Sequence, residues 1–267
     1  MVSIITRVGK GTPLTHDEMD TNLTNIKTTF ETDRYAAAVM ADQPVAYYRC
    51  DEAFGSSVLK DSSGNGFDLT LSGAPGPVRG GLVGSSNGGI YNSPYRSGHF
   101  PTALWAKWPL SANLSTETML LCPSYAALTC LWEAGTTASS NIHRLGFRVC
   151  DGDSGYMQPS FCIGSPTGNN NAFVRVSQYL QFGQWYHLVA TYDGATLKLY
   201  VNGKLAASEV IAVTVANIVR DGGGGMFISN WSESYGNISV DEIAMYNTCL
   251  SADCVALHAR LAAGAFA

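Results

Sequence analysis

The stretch WYHLVATYDGATLKLYVNG, residues 185–203, decides the fold class. Consecutive side chains of a β-strand point to opposite faces of the sheet, so a strand over residues 185–192 presents two distinct faces. One face consists of Tyr186, Leu188, Ala190 and Tyr192, and the other of Trp185, His187, Val189 and Thr191. This period of two predicts a β-strand.

Two turn signals bound the strand that follows. After the turn at Asp193-Gly194, residues 196–201 alternate Leu197, Leu199 and Val201 with Lys198 and Tyr200. Asn202-Gly203 then supplies a residue pair that tolerates the positive φ angles of a tight primed turn. The segment therefore predicts antiparallel sheet, and we expect an all-β domain.

Three other regions accompany this segment in order along the chain. They are PVAYYRCDE (44–52) followed by DSSGNG (61–66), ISVDEIAMYN (238–247) and CLSADCVALHARLAAG (249–264). Together with residues 185–208 they resemble laminin-G-like, concanavalin-A-like jelly-roll domains. The resemblance implies a two-sheet antiparallel jelly-roll sandwich over residues 41–267, with a short N-terminal and a short C-terminal helix. It does not choose a function, because one fold hosts many functions.

A helix is expected near the N-terminus. Thr15 is a good N-cap, and Glu18 three residues later completes a capping box, so the helix should begin near His16 and cover residues 15–33. The segment ITRVGKGTPLTHDEMDTNLTNI (5–26) is similar to the opening of many tailed-bacteriophage fibre and virion proteins. The resemblance implies that residues 1–40 are a virion-attachment and oligomerisation segment.

This predicted helix carries an apolar stripe. Its members, spaced four, three and four residues apart, are Met19, Leu23, Ile26 and Phe30. The stripe packs either on the chain's own jelly roll or on copies of itself or another virion protein. We favour the second alternative because a short polar helix is marginal alone in water. A homotrimer is the arrangement that the resemblance favours.

Composition limits the partners and the location. The chain has 267 residues, a formal net charge of -5 and only 14% charged residues. The absence of a lysine or arginine cluster argues against nucleic acid as a partner. No apolar run is long enough to span a bilayer, and the first residues lack the features of a secretory signal. We therefore expect no membrane insertion, synthesis in a host cytoplasm, and a final location in the virion.

The cysteines do not suggest a metal or redox site. Seven are present, and their spacing fits neither a zinc ribbon nor a redox dithiol. We expect most to be small buried residues, although a bridge formed after lysis is an alternative; Cys249 and Cys254 should not pair with each other.

The jelly-roll resemblance implies one structural calcium ion as the sole cofactor. Carried over to this sequence, its ligands would be Asp61 with the carbonyls of its turn, Asp241, and Glu52. The alternative is that Asp61 accepts backbone N–H groups of its own turn. Asp241 and Glu242 would then be ordinary acids at the end of a strand.

No catalytic constellation is evident, so we expect no enzymatic activity. Jelly-roll glycanases place two carboxylates on one strand in a Glu-x-Asp-x-x-Glu pattern, and no such run exists here. No Gly-x-Ser-x-Gly motif accompanies the scattered histidines. His187 is expected to be a half-buried spacer within its strand.

Aromatic residues in polar loops are the candidates for ligand contact. Loops with aromatic platforms commonly bind sugars on β-sandwiches, and this chain offers Tyr91, Tyr95, Trp231 and Tyr235. The same residues would equally suit a subunit contact. Trp105 and Trp108 are expected in the core or at a subunit contact.

The remaining elements follow from local patterns. Strands of one sheet are expected at 117–123, 129–134 and 145–150, and an exposed excursion at 151–172. Residues 35–42 should be a connector. A C-terminal helix should be capped by Ser251, with Leu250 and Val255 as a hydrophobic staple, and should pack through Val255, Leu257 and Leu261.

Three functions are compatible with these observations. The first is a virion appendage of tail-fibre type whose jelly roll contacts the host surface or its glycans. The second is a capsid or tail decoration protein with a purely structural role. The third is a carbohydrate-active enzyme or its accessory carbohydrate-binding module, against which the missing acids count. We favour the first.

Overall fold

A computed structural model provides the structure of this chain. It describes residues 4–6, 10–52, 56–72, 90–91, 97–99, 101–105, 107–108, 113–122, 130–134, 145–148, 157–163, 172–211, 226–228 and 239–264; among these, the side chains of residues 25–33 and of a few strand and helix positions are not described.

Most described elements are strands, as the sequence predicts. The strands are β1 (Ala46–Tyr48), β2 (Val58–Leu59), β3 (Leu69–Ser72), β4 (Ile90–Tyr91), β5 (Ser97–His99), β6 (Asn113–Leu121), β7 (Cys130–Ala134), β8 (Leu145–Arg148), β9 (Ser160–Ile163), β10 (Ala172–Arg175), β11 (Trp185–Asp193), β12 (Thr196–Val201), β13 (Lys204–Val210), β14 (Met226–Ile228) and β15 (Ser239–Tyr246). The helices are α1 (His16–Ala41), α2 (Thr102–Trp105) and α3 (Ala252–Gly264).

The described strands form two antiparallel sheets. The first has the order β1-β15-β6-β11-β12-β13, with β4 also pairing with β15. The second has the order β10-β9-β8-β7-β14-β5-β3-β2. The prediction that β6, β7 and β8 share one sheet is wrong, because β6 pairs with β11 and β15 in the first sheet. Several neighbouring strands are distant in sequence, such as β1 and β15 or β7 and β14, as in a jelly roll. The all-β sandwich expected from the sequence is confirmed.

The hairpin that predicts the fold lies at the centre of the first sheet. β11 pairs with β12 from Leu188 opposite Val201 to Tyr192 opposite Leu197, and with β6 along its whole length. The turn residues Asn202 and Gly203 have φ angles of 49° and 78°. The Asn202-Gly203 turn therefore forms as the sequence predicts.

Both faces of the first sheet are buried, which the sequence did not predict. One face meets the second sheet, and its core includes Leu188 and Tyr192. The other face is covered by α1 and α3, whose Tyr35, Val39 and Val255 pack against strand residues. The molecule therefore has a helical layer in addition to the two layers of a sandwich.

α1 begins where expected but is longer than expected. Thr15 caps it, and the capping box with Glu18 is formed. The predicted end at residue 33 is wrong, because the helix continues to Ala41 through the region expected to be a connector. Two causes account for this. The alanine run after residue 35 favours helix, and Tyr35 and Val39, four residues apart, are fully buried against the sheet.

A second correction concerns residues 151–172, which were expected to be exposed. The described part of this region, residues 157–163, contains β9, whose four residues are all buried. Phe161 stacks edge-on against Phe147 with ring centroids 4.9 Å apart. The polar stretches on either side mask this short apolar strand in the sequence.

The C-terminal helix follows the predicted pattern except at one residue. Cys254 N donates to Ser251 Oγ at 3.2 Å, and Leu250 and Val255 are buried as the staple requires. Leu257 is 38% exposed, so its expected packing contact is wrong. It lies on the solvent side of a helix whose buried face is set by Val255, His258 and Ala262. No helix in the described residues has the length and apolarity needed to cross a membrane.

Candidate functional site

A buried polar cluster lies between the first sheet and the helical layer. Glu117, in the middle of β6, accepts hydrogen bonds at Oε2 from His187 Nε2 at 2.9 Å and from His258 Nδ1 at 3.0 Å. The hydroxyl of Tyr246 donates to the other carboxylate oxygen. We call Glu117, His187, His258 and Tyr246 the Glu117 cluster. Through the carboxylate of Glu117, the cluster joins the three strands β6, β11 and β15 to α3.

The first helix closes this cluster. Tyr35 contacts both imidazoles edge-on, with centroids 6.3 Å from His187 and 6.0 Å from His258. Asp42, just after α1, places Oδ2 at 3.2 Å from His258 Nε2. His187 is only 2% exposed, so the expectation of a half-buried spacer is wrong. It is buried because Glu117 compensates its polar ring, as a buried polar group requires.

Charge and burial shift the pKa values of side chains in and around the Glu117 cluster. Burial would raise the pKa of Glu117, but the hydrogen bonds and charges of His187 and His258 hold that pKa well below its usual range. Burial would lower the pKa of His258, and the hydrogen bond and charge of Glu117 raise it instead. Burial, followed by the charge of Glu117, raises the pKa of Tyr35 and Tyr246. Glu117 is therefore ionised and committed to its partners.

A second acidic group occupies β15. The strand register shifts between Asp241 and Ala244, and Glu242 takes a φ of 52° at this bulge. Both acids are 1% exposed, so the expectation that they are ordinary acids at a strand end is wrong. Tyr47 donates to Glu242, and Arg49 Nε lies 3.9 Å from it. Burial, then the charge of Asp241, raises the pKa of Glu242 well above its usual value.

Asp61 is held by its own turn. Its Oδ1 accepts from Tyr47 N at 3.0 Å and Ser63 N at 2.9 Å, and its Oδ2 accepts from Phe67 N at 3.0 Å. Glu52 Oε1 accepts from Lys60 N, and Asp241 Oδ1 from Glu242 N. Among the described residues, no group of three or more acidic, histidine or cysteine side chains is placed to hold a metal ion. These contacts favour the turn-capping alternative, and calcium binding stays a prediction.

We expect Asp61→Ala to destabilise the protein by about 2 kcal/mol in chelator as well as in calcium, because it leaves three backbone N–H groups without their acceptor. Thermal melting of the wild type and variant, each with chelator and with calcium, checks this. Asp193→Ala, which removes an acid that caps another turn through two N–H groups, is the matched control. A shift of several degrees when the wild type is treated with chelator would instead place an ion at Asp61.

The residues predicted for ligand contact are only partly described. Tyr91 lies in β4, where its backbone pairs with Ser239, and its side chain is not described. Tyr95, Trp231 and Tyr235 lie outside the described residues. Trp108 belongs to the core, as expected, with Nε1 donating to the carbonyl of Tyr246 at 2.9 Å. Among the described cysteines, Cys50, Cys122 and Cys162 are buried thiols, and Cys249 and Cys254 are half-buried thiols.

The exposure of the apolar side chains changes along α1. Met19 is 40% exposed and Leu23 is 65% exposed, whereas Tyr35 and Val39 further along are fully buried. The side chains of Ile26 and Phe30 lie outside the described part. Asn22 holds Ile5, which precedes α1, through two hydrogen bonds. Asn22 Oδ1 accepts from the Ile5 N–H at 2.9 Å, and Asn22 Nδ2 donates to the Ile5 carbonyl at 2.8 Å. The N-terminal part of the stripe thus leaves apolar surface uncovered.

An open pocket of about 630 Å³ lies between the β12–β13 turn and α3. We call it the hairpin pocket. The side chains that give it chemical character are Gln184, Trp185, His187, Asn202, Lys204 and Arg260. Its helical wall consists of Ala256, Ala259 and Ala263, a face of small residues that leaves the space open. Trp185 is half-buried, and Lys204 and Arg260 are exposed.

The turn meets the helix closely beside this pocket. A Cβ added to Gly203 would lie 2.8 Å from Ala259 Cβ and 3.2 Å from Ala256 Cα. The glycine is therefore required twice, by its positive φ and by this approach. The sequence marks the turn, but the pairing of the turn with α3 carries no local signal. This pocket was for that reason not predicted.

Comparison with known proteins supports the fold. Residues 124–256 match the family model Laminin_G_3, of the concanavalin A-like lectin/glucanases superfamily. No curated protein matches the sequence significantly. The match and the sheet topology agree on a concanavalin A-like domain within this chain.

Solved structures with a similar fold include one domain of an arabinanase and the binding domains of two toxins. Domain 4 of AbnA, an extracellular arabinanase from Geobacillus stearothermophilus in complex with arabinotriose, is 19% identical, with a TM-score of 0.57; the alignment covers 81% of this chain and 98% of that domain. The binding domain of Paraclostridial Mosquitocidal Protein 1 is 14% identical, with a TM-score of 0.56. The botulinum neurotoxin serotype C1 binding domain is 11% identical, with a TM-score of 0.57.

The two toxin domains are larger than this chain. The alignments cover 82% and 83% of this chain but only 52% and 53% of the respective toxin domains. At these identities the similarity establishes the fold alone. The similarity thus supports a concanavalin A-like sandwich, and the phage resemblance of the N-terminal segment stays a prediction.

Proposed function

We propose that this chain is a non-enzymatic glycan-binding protein of a bacteriophage virion surface. In this proposal residues 1–40 attach it to other virion proteins, with a homotrimer as the favoured assembly. The sandwich contacts a glycan of the host surface. The observation that carries the glycan part is the hairpin pocket, where a half-buried tryptophan, Trp185, adjoins the amides of Gln184 and Asn202. Such a pairing of an aromatic face with short polar groups suits a sugar ring.

The burial of the acids supports a binding role over catalysis. A glycosidase needs two carboxylates in reach of the scissile bond. Here Glu117 is fully buried and hydrogen-bonded to three side chains, and Glu242 is buried and accepts a hydrogen bond from Tyr47. An enzyme is therefore not proposed from these residues. Release of reducing sugar from host polysaccharide by the purified chain would contradict this part.

The uncovered stripe on α1 supports attachment to a larger assembly. Leu23 is a large aliphatic side chain at 65% exposure, and Met19 lies one turn before it. Two copies of such a stripe can bury each other, which a marginal helix requires. A decoration protein with a purely structural role would use the same stripe without any glycan. The two functions differ in whether the sandwich binds host cells.

Retention on host cells tests the glycan part. We expect the purified full chain to be retained on host cells or on their extracted surface polysaccharide, and Trp185→Ala to reduce retention at least about tenfold because stacking area is lost. Tyr179→Ala, which removes an exposed aromatic side chain outside the pocket, is the matched control. A wild-type chain that ignores host cells and glycans but rebinds stripped particles would replace this proposal with the decoration role.

A further inference from the structure

The hairpin pocket has a one-sided charge. Lys204 and Arg260 both line it, and no acidic side chain is among the described residues that do so. The pocket is thus positively charged although the chain has a formal net charge of -5. Neither cation forms an ion pair with any described residue, so both are available to a ligand.

The two cations approach the pocket from different elements. Lys204 opens β13 directly after the Asn202-Gly203 turn, and Arg260 lies on α3 one residue after Ala259, which the turn contacts. Their relative placement is set by the close contact of Gly203 with that helix rather than by flexible loops. A rigid scaffold lowers the entropy cost of binding.

One buried polar atom at the same pocket has no hydrogen-bond partner among the described residues. His187 lines the pocket and is 2% exposed. Its Nε2 is committed to Glu117, and Nδ1 is buried without a hydrogen-bond partner. Buried polar atoms are almost always paired, so Nδ1 keeps hydrogen-bonding capacity for a group bound in the pocket. His187 therefore belongs both to the lining of the hairpin pocket and to the Glu117 cluster.

We propose that the hairpin pocket binds an acidic saccharide, with the carboxylate of a uronic or similar acidic sugar between Lys204 and Arg260. Trp185 packs on the apolar face of the sugar ring, and Gln184 and Asn202 bind its hydroxyl groups. Arg260 recognises the carboxylate through its planar fork, which matches two oxygens. This inference rests on the proposed glycan binding and adds to it the charge class of the ligand and the residues that select it.

Paired probes test the charge class. Oligogalacturonates and hyaluronan oligosaccharides, each compared with its carboxyl-reduced neutral form, are titrated into the full chain by calorimetry. We expect at least one acidic probe to bind, its neutral form to bind at least about tenfold more weakly, and added salt to weaken only the acidic one.

Variants test the residues. Lys204→Gln and Arg260→Gln should each weaken the acidic probe about tenfold and leave the melting temperature unchanged, because both side chains are exposed. Lys198→Gln removes the same charge from β12, outside the pocket, and should have no effect. Ala263→Trp should block the pocket independently of charge.

Each contrary outcome has a separate meaning. Binding of the neutral forms as strongly as the acidic ones overturns the charge class but leaves glycan binding intact. Acidic binding that Lys204→Gln, Arg260→Gln and Ala263→Trp leave unchanged overturns this location. Absence of binding to all probes, while the chain is still retained on host polysaccharide, overturns the inference alone. Absence of both overturns the proposed function as well.

Discussion

Glu117→Gln should lower the free energy of unfolding by about 3 to 5 kcal/mol near pH 6, the usual cost of removing one partner from a buried ion pair. The carboxylate accepts from His187, His258 and Tyr246, and all four side chains are buried. A neutral amide cannot compensate a charged His258. For a chain of this size the loss corresponds to a melting temperature lower by about 6 to 20 °C.

The effect should depend on pH in a defined direction. The raised pKa of His258 means that its contribution is complete below its usual value of 6.5 and is lost as the pH rises through the folded value. The lowered pKa of Glu117 means that its contribution is present above 4.5 and is lost as the pH falls through the folded value. The stability difference between wild type and variant should therefore be largest between these two values.

The free energy of unfolding of Glu117→Gln must be compared with that of the wild type at each pH. Burial and then Asp241 raise the pKa of Glu242, so it opposes stability as the pH rises above its usual value of 4.5. This contribution is present in both proteins and cancels. Glu209→Gln, an exposed acid on β13, is the control and should be within about 0.5 kcal/mol of wild type. Equal melting curves for Glu117→Gln and Glu209→Gln would contradict the role of the cluster.

Two truncations should separate the two parts of α1. Removal of residues 1–30 should leave the sandwich folded, because Tyr35 and Val39 remain, while the exposed Met19 and Leu23 are lost. We expect this variant to be monomeric and to fail to join the particle. Removal of residues 1–42 also exposes the Glu117 cluster and removes Asp42. It should lower the melting temperature by at least about 10 °C, since loss of a buried tyrosine alone costs about 3 to 5 kcal/mol.

Sedimentation, melting and particle rebinding measure these outcomes. Tyr35→Ala in the full chain is the matched control, because it opens the same cavity without changing the attachment segment. It should be destabilised yet still oligomerise. A 1–30 deletion that joins the particle as well as the full chain would refute the attachment role. A 1–42 deletion as stable as wild type would refute the helical layer as part of the fold.

Local signals were sufficient for the hairpin and for the start of α1. Asn202-Gly203 and the alternation of β11 act over a few residues, and so does the capping box of Thr15 and Glu18. The end of α1 was missed because its cause is not local. Tyr35 and Val39 are helical beyond residue 33 because a sheet far along the chain covers them.

The candidate functional residues also differ in how much of their placement the sequence predicts. Trp185 and His187 were placed on one face of a predicted strand, but nothing in the sequence indicates that Glu117, 70 residues away, meets His187. The small residues on α3 form a pocket wall only because Gly203 packs against that helix. Pairs of this kind are set by strand order, which the local pattern does not encode.

The sequence by itself determined the strand and turn signals, because alternation, capping and positive-φ turns depend on neighbouring residues. Only the tertiary structure decided that both faces of the first sheet are buried and that α1 is partly core. It also decided that Lys204 and Arg260 meet at one pocket. These features depend on contacts between distant segments, whose free energy comes from burial and charge compensation within the folded chain.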